Sequence, residues 1–365
     1  MNCSILGLGT AVPPDIVPQD EALRLSLDVI CESEREERLM RMLFNRSGVE
    51  TRHAVVPSSL GYEWKQMHDP LAPGNGPRTA ERMQLYNKFA GPLAEQAARN
   101  ALHDAQTNAD QITHLVTVSC TGFGAPGVDV SLIKSLGLKP TTQRVHVGFM
   151  GCHGAINGMR VVQGLVAANP GARVLLCAVE LSSLHYRLKW DDDGIIGHAL
   201  FGDGAAAMVA GAETDADSSG LWQLAGTGSC LIPDSEDEMA WHVGDHGFYM
   251  RLTSQVPETI KRCLRTWLES WLESMGSAQE RVDAWAIHPG GPKILDAVEA
   301  ALNLPDGATD ISRDILRKNG NMSSPTLLFV LDRMRRKAIS GPVVALAFGP
   351  GLMAEAAFLV PPSVA

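Results

Sequence analysis

Two stretches of the 365-residue chain carry the same punctuation. "GCHGAINGMRVVQGLVAANPGARVLLCAV" leaves a glycine, enters a helix-like run and ends in a β-branched run at Val179; "GNMSSPTLLFVLDRMRRKAISGPVVALAF" does the same and ends at Phe348. The interval from Cys152 to Arg173 equals that from Asn321 to Pro342. Cys120 precedes Cys152 by one position fewer than His288 precedes Asn321. This spacing implies an internal duplication, with Cys152 and Asn321 at matching helix starts. Short β-branched runs alternate with amphipathic ones throughout: "HLVTVS" (114–119), "RVHVGF" (144–149), "RVLLCAV" (173–179), "DAWAIH" (283–288) and "PVVALAF" (342–348). The alternation predicts an α/β fold with buried, mostly parallel strands. The polar, acidic "GAETDADSSG" (211–220) interrupts the rhythm, so two halves are expected, 1–215 and 216–365.

Composition narrows the function classes. A chain with 45% hydrophobic and 20% charged residues is globular and long enough for a large core. The net charge of -10 argues against non-specific nucleic-acid binding. No apolar run approaches the ~18 residues of a membrane span. "MNCSILGLGTAVPP" lacks the basic start and apolar core of a signal peptide, so a cytoplasmic location is expected. The 7 cysteines include no CxxC pair, which disfavours a disulfide framework or a thiolate zinc site. Cys177, in mid-strand, reads as a small buried hydrophobe. "DDD" (191–193) lacks partner ligands and reads as a solvated loop, so no metal is expected. "GLGTAVP" (7–13) lacks the third glycine of a dinucleotide fingerprint, and "RMRRK" (333–337) reads as a basic helix end.

Cys152 sits where a strand passes into a helix. The unpaired amides and partial positive charge of a helix start favour a thiolate and can hold an oxyanion. His288, in "IHPGGP", stands at a strand end before a helix, where α/β sites form. Asn321, in "GNMSSP", stands at a helix start, where the plain alternative is an N-cap. Cysteine, histidine and asparagine in this order suit two chemistries. One is a papain-like cysteine hydrolase, although the "CGSCW"-type context is missing. The other is a Claisen condensation, in which His and Asn donate hydrogen bonds to a thioester carbonyl and stabilise the enolate left when malonate loses CO2.

Five collinear motifs, "GCHGA", "GHALFGDGAAAMV", "IHPGGPKILDAVE", "GNMSSPTLLFVLDRM" and "FGPGL", resemble those of the type III polyketide synthases, the chalcone synthase family. The resemblance covers nearly the whole chain. It implies an α/β thiolase fold of five αβαβα layers built from two duplicated halves, the first carrying the cysteine and the second the histidine and asparagine. It also implies a homodimer, no cofactor, and acyl-CoA and malonyl-CoA as substrates. Cys152 takes the place of the acyl-carrying nucleophile, His288 and Asn321 of the decarboxylation pair, and Phe201 of a gatekeeper. Arg38, Arg41 and Arg46 fall on the residues that meet coenzyme A phosphates, with one inserted residue near Asn45; guanidinium groups suit phosphates. The plain alternative is a solvated helix face.

The departures point to the substrate. Met250 replaces an aromatic gatekeeper, Trp241 a glycine and Cys120 a threonine of the plant enzymes. Ala125 falls where a bulkier plant side chain crosses the dimer seam. Glu180, Cys120 and Ser323 occupy positions that influence aldol against lactone closure. "MAWHVGDHGFYMRL" (239–252) and "ELSSLHY", with His185, resemble bacterial members that make alkylpyrones or alkylresorcinols from long fatty acyl starters. The nearest rival is a ketoacyl-acyl carrier protein synthase III-like enzyme making one condensation. A cysteine hydrolase and a non-catalytic scaffold are rivals of other classes.

Overall fold

The structure, a computed structural model, describes residues 3–67, 75–212 and 222–362. The expected boundary after residue 215 lies outside the described residues. In chain order come β1 (Cys3–Ala11), β2 (Asp15–Pro18), α1 (Gln19–Ile30), α2 (Glu34–Asn45), β3 (Thr51–Ala54), α3 (Leu60–Gln66) and α4 (Thr79–Asp104). Then follow β4 (His114–Ser119), α5 (Val128–Leu136), β5 (Gln143–Gly148), α6 (Gly154–Ala168), β6 (Arg173–Leu181), α7 (Ile196–Leu200) and β7 (Asp203–Ala212). The second half holds β8 (Trp222–Leu231), β9 (Met239–Gly244), β10 (Gly247–Leu252), α8 (Val256–Ser274), β11 (Ala284–Ile287), α9 (Pro292–Leu302), α10 (Asp310–Asn319), α11 (Pro325–Arg336), β12 (Val343–Gly349) and β13 (Met353–Val360).

The duplication is visible in strand pairing. β4, β6, β7 and β1 lie side by side in that order; so do β11, β12, β13 and β8. In each set the first pair is parallel and the next two are antiparallel. The two sets join where Cys3, Ser4 and Ile5 of β1 pair with β8. The expected mostly parallel sheet is therefore mixed. β7 and β13 return antiparallel beside the strand before them, β7 after the five-residue α7 and β13 after a short turn.

Side-chain alternation builds the layers. Val174, Leu176 and Ala178 of β6 face one core together with Val343, Ala345 and Ala347 of β12, and α6 and α11 fill it. Leu175, Cys177 and Val179 face the opposite way, onto α4 and α5. Val344, Leu346 and Phe348 face α8 and α9. The sequence of layers is helix, sheet, helix, sheet, helix, as expected. α11 is apolar on nearly every side because both sheets cover it: Leu327, Leu328, Val330 and Leu331 are fully buried. Each such side chain contributes roughly 1.5–3 kcal/mol. "GLGT" in β1 is explained by packing. A Cβ on Gly9 would lie 2.2 Å from the Ala101 nitrogen, and one on Gly7 2.4 Å from that of Ala105, so the glycines let α4 press against the strand. β2, β3 and α1–α3 form a cap with its own apolar core around Leu25, Met40, Phe44 and Trp64.

Candidate active site

Cys152 lies in a 3-10 turn, Gly151–His153, between β5 and α6. Gly151 has φ +68°, and a Cβ there would meet Pro350 Cδ at 2.4 Å, so the turn requires glycine. Cys152 lines a small cavity whose wall also includes Cys120, Phe201, Trp241, Met250 and Ser323.

Asn321 reaches the same place from the other half. Its N–H donates to the Leu200 carbonyl at 2.8 Å, and its own carbonyl accepts from Gly202 at 3.0 Å. These bonds bridge it to Phe201, whose ring lines the cavity. It is no N-cap of α11, whose cap position is Ser324. Asn321 Oδ1 accepts from the Ser323 N–H at 2.8 Å, and Nδ2 is 3.5 Å from the Gly290 carbonyl. Asn321 and Ser323 lie close enough to the Cys152 sulfur to favour its ionised form. His288 follows β11, and its N–H donates to the Leu346 carbonyl at 2.8 Å. A Cβ on Gly290 would lie 4.0 Å from His288 Nε2. Cys152, Asn321, Gly290 and His288 thus form a chain of neighbours.

Burial dominates the electrostatics. It pushes the Cys152 thiol up to about 11, against the pull of Ser323 and Asn321, and Glu180 adds to the rise. It pushes His288 down to about 3, with His153 acting in the same direction. Desolvation of a buried charge therefore works against the thiolate that a helix start favours. Both ring nitrogens of His288 are buried without a hydrogen-bond partner, so the neutral imidazole has them available to a substrate. Alkylation of Cys152 by iodoacetamide is expected to accelerate about tenfold per pH unit between pH 7 and pH 9, following the thiolate fraction. A rate already flat below pH 7, read from the Cys152 peptide, would contradict this.

Glu180 is fully buried behind the wall and is absent from the cavity lining. It accepts from the Cys120 and Thr121 amides at 3.0 Å, from Thr121 Oγ1 at 2.7 Å and from Ser324 Oγ at 2.9 Å. It reaches the cavity only through these residues and joins the β4 end to the α11 start. Cys120 Sγ lies 3.5 Å from Ser323 Oγ. Trp241 and Met250 are directly opposite in the β9–β10 hairpin, and Trp241 Nε1 donates to the Cys120 carbonyl at 2.7 Å. His185 braces the same hairpin: Nδ1 accepts from the Phe248 N–H at 2.9 Å, while Nε2 donates to the Thr121 carbonyl at 2.6 Å. Burial holds it neutral, at about 3.

Other expected residues lie elsewhere. Ala125, joined to Pro126 by a cis peptide, lines a separate cavity with Tyr86, Phe123 and Val128, which shares no residue with that of Cys152. Arg38 and Arg41 are on the exposed face of α2, near Glu34 (3.4 Å) and Glu37 (3.7 Å), and Arg46 caps its C-terminus. Sequence reasoning passed over His153. Its Nδ1 bonds Asn157 Oδ1 at 2.7 Å, Asn157 donates to Glu355 at 3.1 Å, and Arg160 pairs with Glu355. The signal was the i, i+4 spacing of His153 and Asn157 on one helix face. Among the described residues no cluster of His, Cys, Asp and Glu could hold a metal.

The comparisons agree with this architecture. Residues 2–214 match "Chalcone and stilbene synthases, N-terminal domain", and residues 223–362 match the C-terminal domain of the same family. The chain belongs to the chalcone and stilbene synthase family. It is a type III polyketide synthase, an acyltransferase that makes carbon–carbon bonds by Claisen condensation of acyl-CoA and malonyl-CoA. It is similar to "Alpha-pyrone synthesis polyketide synthase-like Pks18" of Mycobacterium tuberculosis, 33% identical over 96% of this chain and 89% of the relative. It is also similar to "1,3,6,8-tetrahydroxynaphthalene synthase" of Streptomyces peucetius, 33% identical over 96% and 91%. The crystal structure of PKS-I from the brown alga Ectocarpus siliculosus superposes with a TM-score of 0.91 at 29% identity, covering 99% of this chain and 98% of that one. The hydrolase and scaffold readings fall away with family membership. No helix among the described residues is long and apolar enough to cross a membrane.

Proposed function

We propose that Cys152 carries the acyl chain, and that His288 and Asn321 decarboxylate malonyl-CoA beside it. The observation that carries this reading is the meeting of the two halves at one cavity: Ser323 of the second half shares its wall with Cys152 of the first, and Asn321 is bridged to Phe201 in the same wall. In loading, the Cys152 proton passes to the His288 imidazole as sulfur attacks the acyl-CoA carbonyl. The carbonyl–sulfur bond to coenzyme A breaks, and the departing thiolate takes the proton back. Malonyl-CoA then loses CO2. The electron pair of the broken bond becomes an enolate whose oxygen is held by the Asn321 amide and His288. That enolate carbon attacks the Cys152 thioester and expels the Cys152 thiolate.

The starter in this reading is a long-chain fatty acyl-CoA, and the product an alkylpyrone or alkylresorcinol. Met250, flexible where plant relatives have an aromatic, supports a pocket that yields to a chain. Arg38, Arg41 and Arg46 hold the coenzyme A phosphates from α2. The enzyme works as a cytoplasmic homodimer without a resident cofactor, with its two halves dividing near residue 215. The test is to incubate the protein with lauroyl-CoA and labelled malonyl-CoA and chromatograph the products. Labelled alkylpyrones or alkylresorcinols are expected. A labelled single-condensation product would favour the synthase III-like reading, and better use of acetyl- or malonyl-CoA as starter would remove the long-chain assignment.

A further inference from the structure

Beside the nucleophile turn, α6 carries a line of polar groups that the condensation does not use. Arg160 pairs with Glu355, which is buried on β13 and also accepts from Ser229 Oγ at 2.8 Å. Asn157 Nδ2 donates to the same carboxylate at 3.1 Å. An ionised carboxylate only accepts, so it fixes which end of the Asn157 amide faces it. Asn157 Oδ1 is thereby turned to His153 Nδ1, 2.7 Å away. An amide oxygen also only accepts, so His153 carries its proton on Nδ1. The line from Arg160 through Glu355 and Asn157 thus sets both the tautomer and the tilt of the imidazole next in sequence to Cys152.

That imidazole lies against Gly349, the last residue of β12. A Cβ on Gly349 would lie 2.3 Å from His153 Cδ2 and 2.7 Å from Nε2. One residue further, Pro350 packs on Gly151, the other neighbour of Cys152. The corner that closes β12 therefore grips the Cys152 turn on both flanks, and the Leu346 carbonyl of the same strand holds the His288 N–H. We propose that His153 is a positioning residue: by filling the space over Gly349 in one fixed orientation, it sets the distance of the Cys152 sulfur from His288. The proposal rests on the reading of Cys152 as the acyl carrier and of His288 as the acceptor of its proton. Neither His153 nor Asn157 lines the Cys152 cavity, so their effect on loading passes through the turn. Bulk alone would need no imidazole. An apolar ring would fill the same space without burying two ring nitrogens, and His153 Nε2 has no partner among the described residues.

Two half-reactions separate this role from a general effect on the fold. His288 and Asn321 are placed by backbone bonds to Leu346, Leu200 and Gly202, none of which involves His153. Loading of Cys152 by lauroyl-CoA is followed by rapid quenching and peptide mass spectrometry, and malonyl-CoA decarboxylation by CO2 release. His153→Phe keeps a ring and removes the Nδ1 donor. It is expected to lower the saturating rate of loading by about tenfold or more, because a displacement of about 1 Å can cost ~10²-fold. The lauroyl-CoA concentration at half-saturation and the decarboxylation rate should stay within about twofold of wild type. Asn157→Leu keeps the imidazole and releases its tilt, and it should show the same selective loss; it decides the matter if His153→Phe does not fold. Unchanged loading would overturn the positioning role. Loading and decarboxylation falling together would overturn it too, by showing a structural role, as would a rise in the half-saturating concentration alone. Wild-type protein that forms no thioester on Cys152 would instead overturn the carrier reading, and this role with it.

Discussion

Replacing Cys152 by alanine is expected to lower condensation by at least about 10³-fold, the scale on which a lost nucleophile is felt. The fold should survive. The neighbouring Asn321 and Ser323 keep their contacts with each other and with Cys120. A stability change of about 1 kcal/mol, typical of single substitutions, would move the Tm by only a few degrees. Malonyl-CoA decarboxylation should persist, because His288 and Asn321 remain. Measuring CO2 release beside product formation separates the two functions. If condensation continues in Cys152→Ala, another thiol carries the chain; Cys120, 3.5 Å from Ser323, would be the first to test.

Asn321→Ala is expected to reduce malonyl decarboxylation by ~10²–10³-fold, as loss of one oxyanion donor does. Loading of Cys152 should suffer far less, since Ser323 remains in the wall beside it. The alanine variant should also be less stable. It leaves the Ser323 N–H buried without the acceptor it has at 2.8 Å, a cost of about 1–3 kcal/mol. Asn321→Asp keeps that acceptor and removes the amide donor, so it should match the alanine in decarboxylation while melting closer to wild type. Equal loss of loading and decarboxylation in the alanine variant would mean that Asn321 serves the nucleophile alone.

Much of the fold was legible because duplicated α/β units leave repeated local signals. "HLVTVS" is β4 with the same bounds, and the runs at 144–149, 173–179, 283–288 and 342–348 fall on β5, β6, β11 and β12 within two residues at each end. The antiparallel return strands were not legible. β7 is dominated by alanine and glycine, with Val209 its single β-branched residue, and its burial on both faces by α4 and α11 is a tertiary fact. At the site, the thiol, imidazole and amide could be named from their motifs, since each stands where an element begins or ends. Their protonation could not. A helix start in a sequence suggests a thiolate, whereas the walls that desolvate Cys152 come from Phe201, Trp241 and Pro350, distant in the chain. The same reason hid a cavity that α1, α3, α7 and the β9–β10 hairpin enclose together. Ala125 shows the converse: a small residue in the sequence marks space, but not which cavity the space belongs to.

The central claim is that an acyl group from coenzyme A rests on Cys152 before malonyl-derived carbon reaches it. Intact-protein and peptide mass spectrometry after mixing with lauroyl-CoA, without malonyl-CoA, tests it directly. One lauroyl thioester per chain, confined to the peptide containing Cys152 and absent from Cys152→Ala, is the predicted result. A thioester on another cysteine, or none on a protein that still converts lauroyl-CoA and malonyl-CoA to product, would contradict it.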